Sequence, residues 1–192
     1  MNIKNYSRKK DGQKNITQNI KVYEVACKDG TDAVKMDYVI CCFAQYVREV
    51  LGKAIHINSG YRTTAYNRKV GGKSGSRHLK GCALDLWIQS VKQQDLANYF
   101  YSMGLVRVGV YSSFVHADTD RSPQWLSQGK FKKVNIPYLR LLKQGSKEYL
   151  VAIVQYKLNC LGYSCGVEDG VFGNATKNAV INFQKAKGLS TD

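Results

Sequence analysis

The segment SRHLKGCALDLWI, which occupies residues 76–88, decides the fold of this chain. From residue 82 onward its apolar side chains recur with a period of two, so that Leu84, Leu86 and Ile88 share one face and Asp85 lies on the other. This alternation is typical of a half-buried β-strand. A carboxylate among apolar neighbours is costly unless a cation such as a metal ion compensates its charge. The segment therefore predicts a strand that carries a metal-binding carboxylate.

A second segment, FVHAD, ends at Asp118 and places His116 and Asp118 on one face of a further strand. His116 combines with His78 and Asp85 into a set of two imidazoles and one carboxylate. Such a set leaves one tetrahedral position of Zn²⁺ open, which is the ligand count of a hydrolytic zinc site rather than a structural one. The chain has only three histidines, and two of them belong to this set. The third, His56, lies in an alternating run and is interpreted as a strand residue without a catalytic role.

A family resemblance rests on residues 58–87, which read NSGYRTTAYNRKVGGKSGSRHLKGCALDLW. Together with FVHAD, they resemble the zinc D-alanyl-D-alanine carboxypeptidases of the VanY kind, a group that includes many phage endolysins. The shared features are a Ser-Gly-Tyr-Arg element, an Asn with paired glycines, an S-x-H-x-x-G-x-A-x-D signature and a downstream His, in that order. The resemblance extends over residues 1–135.

The resemblance implies a role for each matching residue. His78, Asp85 and His116 would be the ligands of one zinc ion. Arg62 and Ser76 would hold the carboxylate or carbonyl of the substrate near the metal. The arginine assignment agrees with its chemistry, because the planar fork of Arg fits a carboxylate and a stem peptide that ends in D-Ala presents one.

The position of the general base departs from the family pattern. Several branches have Glu or Asp three residues before the last ligand histidine, but here this position is Ser113. Asp118 is the nearest acidic residue and shares the strand face of His116. We expect Asp118 to act as the catalytic base, with support of the ligand histidine as its alternative role.

A second pattern begins near residue 145. Apolar residues recur at helical spacing from Tyr149 to Leu161 and again from Ala175 to Gly188, with turn-forming residues between them. The phrase LVAIVQYKLNCLGYSCGVEDGVFGNATKNAVINFQKAKGL resembles the small helical peptidoglycan-binding domain found at the ends of many wall hydrolases. Such domains usually continue into a further helix, so we expect a truncated domain here.

The patterns together predict an α+β fold. We expect a mixed catalytic domain, with a small antiparallel sheet flanked by helices, over residues 1–135. A basic linker over residues 136–147 would lead to a small C-terminal all-α module over residues 148–192. Within the first domain, helices are expected over residues 37–51, over 64–70 and after an N-cap at Ser90, and strands over 53–58, 82–88, 106–111 and 114–118.

Composition limits where the protein acts. A hydrophobic content of 44% supports packed cores, and no apolar run is long enough to cross a bilayer. The first 14 residues are polar and basic, without the apolar region of a signal peptide. We therefore expect a protein that is made in the cytoplasm and acts on the bacterial cell wall after release, as endolysins do. No heptad or other association signal is present, so we expect a monomer.

The charge of the chain indicates an anionic partner. The formal net charge is +15, from 29 Lys and Arg against 14 Asp and Glu. A basic surface binds nucleic acids and anionic wall polymers alike. No nucleic-acid-binding motif accompanies the charge, and the basic residues are spread along the chain. We expect peptidoglycan, and anionic wall polymers beside it, to be the partners rather than nucleic acid.

The six cysteines form no CxxC pair, which disfavours a structural zinc site and favours free thiols. Only a bridge between Cys160 and Cys165 is left open by the sequence.

These observations predict a zinc-dependent peptidoglycan hydrolase that cleaves an amide bond of the stem peptide. D-Ala-D-Ala carboxypeptidase activity is the first interpretation. Cleavage of stem-peptide or cross-link bonds by an endopeptidase is the second. The third is a cell-wall-binding protein without catalytic activity, whose metal site is structural or decayed.

Overall fold

Helices and strands are mixed along the chain in a computed structural model, which describes residues 1–137 and 140–191. The fold is α+β, as predicted. In chain order the elements of the described residues are β1 (Ile3–Ser7), α1 (Arg8–Asp11), β2 (Asn15–Thr17), β3 (Ile20–Lys21), α2 (Val22–Val25), β4 (Ala33–Asp37), α3 (Tyr38–Leu51), β5 (Ile55–Ser59), α4 (Thr64–Lys69), a 3-10 turn (Arg77–Lys80), β6 (Ala83–Ile88), α5 (Gln93–Ser102), β7 (Arg107–Val110), β8 (Val115–Asp118), β9 (Trp125–Ser127), α6 (Tyr149–Cys160) and α7 (Asn174–Ala186).

The largest sheet has five strands in the order β5-β6-β8-β7-β9. Its first four strands are antiparallel, and β9 adds to β7 in parallel at the edge. The strand predicted around Asp85 is confirmed as β6, which lies between β5 and β8. Its apolar face, formed by Leu84, Leu86 and Ile88, is buried in the core. The register pairs Asp85 with His116 on β8 and with Ser59 on β5, so the polar residues meet on the other face.

Helix α3 lies in the same core as the apolar face of this sheet and confirms the predicted helix over residues 37–51. The Asp37 side chain caps its start by accepting a hydrogen bond from the Val39 amide, at 3.3 Å. Gly52 ends it with a φ of 60°, a left-handed conformation that glycine adopts without strain. Because residues 39–47 are all buried, α3 is the central helix of the main core.

The predicted N-cap of α5 is wrong. Ser90 has a φ of 61° and lies in the turn that follows β6. The Val91 amide donates to the Ile88 carbonyl at 3.2 Å, so the chain closes a turn before the helix begins. Lys92 occupies the cap position without a side-chain hydrogen bond, and the helix starts at Gln93.

The N-terminal segment, for which the sequence predicted no elements before α3, forms two small antiparallel sheets, β1 with β4 and β2 with β3. This segment also fixes the loop after β5. The Tyr61 amide donates to the Val25 carbonyl at 2.8 Å. A side chain at Gly60 would place its Cβ only 2.5 Å from that carbonyl oxygen, so only glycine permits this approach.

Helices α6 and α7 confirm the two helices predicted near the C-terminus. The ring of Tyr156 on α6 meets Phe43 of α3 edge to face, with ring centroids 5.6 Å apart. The apolar face of α6 joins the main core, whereas α7 packs on α6 through a small separate cluster. The first helix of the C-terminal region is therefore part of the same core as the sheet. The predicted linker and module also include residues 138–139 and 192, which lie outside the described residues.

Buried polar groups also connect the C-terminal region to the rest of the fold. Asp37 is fully buried and accepts hydrogen bonds from the Asn2 amide, at 2.9 Å, and from the Thr119 hydroxyl, at 2.5 Å. The Asn2 side chain in turn donates to the Glu168 carbonyl at 2.9 Å, and the Glu168 carboxylate pairs with Arg121. Removal of one partner from such a contact destabilises the folded protein, because the other partner stays buried without a hydrogen bond.

All six cysteines are free thiols. Cys160 is exposed and Cys165 is buried, so the bridge left open by the sequence is not formed. No helix among the described residues is both long and apolar enough to cross a bilayer.

Replacement of Tyr156 by Ala tests whether α6 belongs to the main core. The ring is 3% exposed, so we expect the variant to lose about 3 kcal/mol of unfolding free energy in one transition of the whole protein. Urea unfolding followed by circular dichroism measures this. Val167→Ala is the control, because this side chain is 63% exposed and its loss should change stability by less than about 0.5 kcal/mol. Two transitions, only one of them shifted, would show that the units fold separately.

Candidate metal centre

Three predicted residues from different parts of the chain meet on the polar face of the large sheet. His78 comes from the 3-10 turn, Asp85 from β6 and His116 from β8. Asp85 Oδ1 lies 3.1 Å from His78 Nε2 and 2.8 Å from His116 Nδ1. One ligand atom from each residue lies within 4.8 Å of the other two, so the group could hold a metal ion. We call these three residues the His-Asp-His cluster.

The tautomer of His78 follows from its hydrogen bond. Its Nδ1 lies 2.6 Å from the carbonyl oxygen of Gly60, which can only accept, so Nδ1 carries the proton. Its Nε2 therefore presents a lone pair to the cluster, and this buried atom makes no hydrogen bond within the described residues. An unsatisfied buried acceptor is costly unless a cation binds it. The donor set of the cluster thus fits a divalent metal ion.

His116 is held from both sides of its ring. Its Nδ1 faces Asp85, while its Nε2 lies 3.2 Å from Asp118 Oδ2. Asp118 is 1% exposed and also binds Arg107 Nε, at 2.9 Å and 3.2 Å to its two oxygens. A carboxylate behind a ligand histidine fixes the orientation of the ring and raises its basicity as a ligand. The Asp118 carboxylate therefore lies on the side of the imidazole that is turned away from the cluster.

Asp85 divides its two oxygens between different partners. Oδ1 faces the two histidines, and Oδ2 accepts a hydrogen bond from Arg62 Nη2 at 2.5 Å. Arg62 Nε donates to the Ser59 hydroxyl at 2.7 Å. Burial raises the pKa of the Asp85 carboxyl, but its contacts with His116, first, and with His78 outweigh burial and keep this pKa well below its usual range. Asp85 is therefore an anion that requires positive charge nearby.

The same electrostatics act on His116. Burial lowers the pKa of this imidazole, whereas the hydrogen bonds to Asp118 and Asp85 outweigh burial and raise it. The two carboxylates thus stabilise positive charge at this position. A divalent cation beside Nδ1 would supply such charge in place of a proton.

A cleft of about 680 Å³ opens above the cluster. The loop of residues 70–77 forms one wall, and the aromatic side chains of Tyr111, Phe114 and Trp125 line the cleft as well. Tyr111 and Phe114 stack with centroids 4.6 Å apart, and Trp125 meets the ring of His116 edge to face at 5.5 Å. The cluster is therefore reached from a cleft that is large enough for a peptide segment.

Comparison with protein families agrees with this geometry. Residues 14–118, more than half of the chain, match the family model described as peptidase M15. The chain belongs to the peptidase M15 family. Residues 147–192 match the model of a putative peptidoglycan binding domain. The predicted resemblance to zinc D-Ala-D-Ala carboxypeptidases with a C-terminal peptidoglycan-binding domain is confirmed. This M15 peptidase is accordingly a metallopeptidase that acts on peptidoglycan, in a family whose members depend on zinc.

The predicted site residues of this M15 peptidase occupy distinct positions. The three expected metal ligands form the cluster, and the expected substrate residues Arg62 and Ser76 both line the cleft. Asp118 touches His116 rather than the open side of the cluster. Ser113, which occupies the usual position of the base, is exposed in the hairpin between β7 and β8. His56 lies on β5 and stacks on Trp87, with centroids 4.2 Å apart.

Arg107 and Trp125 line the cleft, but they were not among the residues predicted for the site. Arg107 lies in a strand that was predicted, but nothing in the sequence indicated that it binds Asp118. Trp125 belongs to β9, which has only three residues and no periodic pattern. A Cβ at Gly109 would lie 2.8 Å from the Trp125 ring, so the glycine admits the indole beside His116. Trp125 is a cleft residue through contacts with distant residues, which the sequence does not show.

Replacement of Asp118 by Asn tests the support of His116. Loss of the charge should weaken zinc binding about 10- to 100-fold while one ion still binds, because the three cluster residues remain. Competition with a chromophoric chelator measures the affinity. Asp95→Asn is the matched control, since Asp95 is exposed on α5 and should leave the affinity unchanged. Equal affinities of the Asp118→Asn variant and the unaltered protein would contradict the proposed contact.

Proposed function

We propose that this M15 peptidase is a zinc-dependent D-alanyl-D-alanine carboxypeptidase that acts on the stem peptides of peptidoglycan. The observation that carries the proposal is the His-Asp-His cluster at a cleft lined by basic and aromatic side chains. Three protein ligands leave a position open, as hydrolytic zinc sites require. A structural zinc site is closed by four protein ligands, so the arrangement favours an enzyme over a wall-binding protein without activity.

The ligand atoms would be His78 Nε2, Asp85 Oδ1 and His116 Nδ1, which converge in the structure. A zinc ion, when bound, lowers the pKa of a coordinated water and polarises the scissile carbonyl. The protein itself fixes the ligands. The Gly60 carbonyl sets the tautomer of His78, and Asp118 orients His116.

Asp118 is better suited to positioning than to general base catalysis. Besides His116 it binds Arg107, and it accepts a hydrogen bond from the Asp120 amide at 3.1 Å. Its carboxylate has no exposed side chain surface from which to reach a water in the cleft. We therefore assign Asp118 the alternative role that the sequence left open, the support of a ligand histidine. Asp85 and Asp118 are the only carboxylates that line the cleft within the described residues.

Arg62 is proposed to act on Asp85. Its Nη2 holds the outer oxygen of the carboxylate and Ser59 holds its Nε, so that Asp85 keeps Oδ1 directed to the histidines. Ser76 lines the cleft next to the turn that carries His78, and we propose that it contacts the peptide. In this proposal both predicted residues act at the site, but the partner of Arg62 is the Asp85 carboxylate of the protein rather than a carboxylate of the substrate.

The position of Arg62 also favours a second candidate, an endopeptidase. A carboxypeptidase must recognise a free terminal carboxylate, and the arginine expected to do so is already paired with Asp85. An endopeptidase has no such requirement.

For either activity, the positive net charge of +15 suits anionic wall polymers. We propose that the protein acts as a monomer on the wall after its release from the cytoplasm.

Mass spectrometry of defined wall fragments tests the proposal. Stem pentapeptides and cross-linked muropeptides are incubated with the zinc-loaded protein, with and without a chelator. We expect pentapeptides to lose one terminal alanine, and the chelator to stop the reaction until zinc is added back. Asp85→Asn should lower the rate roughly a thousandfold, because metal-based stabilisation of the transition state is worth several kcal/mol.

Other outcomes decide between the candidates. Cleavage of cross-links with intact pentapeptides would identify an endopeptidase. Intact fragments of every kind, from a protein that holds one zinc ion per chain, would leave a wall-binding protein and overturn the proposed activity.

A further inference from the structure

Four lysine and arginine side chains of the described residues line the cleft of the His-Asp-His cluster. Three of them are arginines, and each forms an ion pair with a buried aspartate at 2.5–2.9 Å. The pairs are Arg62 with Asp85, Arg77 with Asp120 and Arg107 with Asp118. Each of these guanidinium groups is thus held in place by a carboxylate of the protein itself.

Lys73 is the fourth basic residue, and it differs from the arginines. Its side chain is exposed, and no carboxylate of the described residues forms an ion pair with it. Lys73 is therefore the surplus cation of the cleft. Its charge is available to a ligand that enters from solvent.

The backbone that presents Lys73 is well braced. The side chain of Asn67, which is 3% exposed, donates to the Lys73 carbonyl at 2.9 Å, and the Ser76 amide donates to the same oxygen at 3.0 Å. Gly72 donates its amide to the Asn67 carbonyl at 2.8 Å, and a Cβ at Gly72 would lie 2.2 Å from Asn67 Oδ1. The loop is thus fixed on α4, and only the lysine side chain has to be ordered by a ligand. Preorganisation of this kind lowers the cost of binding.

We infer that Lys73 binds a carboxylate of the peptide substrate in the cleft. The inference rests on the proposed function, since it names the group by which the substrate is recognised. An ammonium group attracts a carboxylate as a point charge without the fixed geometry that an arginine imposes. The carboxylate is either the free C-terminus of the peptide or an acidic side chain of the stem. A terminal carboxylate at Lys73 gives carboxypeptidase cleavage the recognition that Arg62 does not provide.

The test measures peptide binding to the metal-free protein, in which no turnover occurs. Trp125 lines the cleft, so tryptophan fluorescence reports occupancy. The probes are a stem pentapeptide, its C-terminal amide, a pentapeptide with amidated side-chain acids, and one in which all carboxylates are amidated. The variants are Lys73→Gln and Lys73→Arg. Lys69→Gln is the control. Lys69 is exposed in the last turn of α4 and does not line the cleft, so this substitution removes the same charge outside the cleft.

We expect Lys73→Gln to raise the Kd of the pentapeptide about tenfold, since a charge-assisted hydrogen bond is lost. Lys73→Arg should keep the Kd within about threefold and Lys69→Gln within about twofold, because an exposed charge away from the ligand contributes little. Amidation of the recognised carboxylate should weaken binding to the unaltered protein and remove its sensitivity to Lys73→Gln. The amide that removes this sensitivity identifies which carboxylate Lys73 binds.

Three results would overturn the inference: an unchanged Kd in Lys73→Gln, an equal loss for the fully amidated peptide, or no binding of the pentapeptide to the unaltered protein. The proposed function fails on different data. If the zinc-loaded protein cleaves no fragment while Lys73→Gln still weakens binding, the carboxylate contact stands without the activity. If cleavage proceeds and Lys73→Gln changes nothing, the activity stands without this contact.

Discussion

The structure depends on one buried anion, the carboxylate of Asp85 in the middle of the largest sheet. Removal of a carboxylate from water costs several kcal/mol unless opposite charge and hydrogen bonds compensate it. Here Arg62 and His116 provide positive charge and hydrogen bonds, while the lone pair of His78 Nε2 faces the same carboxylate, and the three side chains come from different parts of the chain. The cluster therefore holds distant parts of the chain together. It assembles only when the strands have their observed register, because a slip by one residue would turn Asp85 into the apolar core.

Each partner of Asp85 is itself held by another group. The carbonyl of Gly60 holds His78, the carboxylate of Asp118 holds His116, and the hydroxyl of Ser59 holds Arg62. The supporting groups lie on strands or on loops anchored to them, which makes their positions well defined. Such an outer layer keeps the ligand atoms in place before an ion arrives. The positions of the ligand atoms are thus fixed by sheet and turn geometry around the buried Asp85 carboxylate.

The sequence predicted the centre better than its surroundings. Alternation in β6 and β8 identified Asp85 and His116 because burial of one face leaves a clear period of two. The type of residue at position 62 predicted a carboxylate partner, but sequence alone could not say that this partner is Asp85. Trp125 was missed because a three-residue edge strand has no measurable period. These failures share one cause: they concern contacts between distant residues, which local patterns do not encode.

The C-terminal region shows the same limit in another form. Helical spacing identified α6 and α7, yet it could not show that α6 shares its core with α3. The apolar faces of a helix that packs on its own module and of one that packs on a neighbouring domain look alike in sequence. The Ser90 cap failed for a related reason, since this good capping residue lies in a turn two residues before the actual cap position of the helix, Lys92.

The shared core of α3 and α6 has a mechanical consequence. A flexible linker between a binding domain and a catalytic domain gives a broad distribution of distances between the two domains. Here α6 packs in the same core as α3, so the first helix of the peptidoglycan-binding region keeps one fixed position relative to the sheet that carries the His-Asp-His cluster.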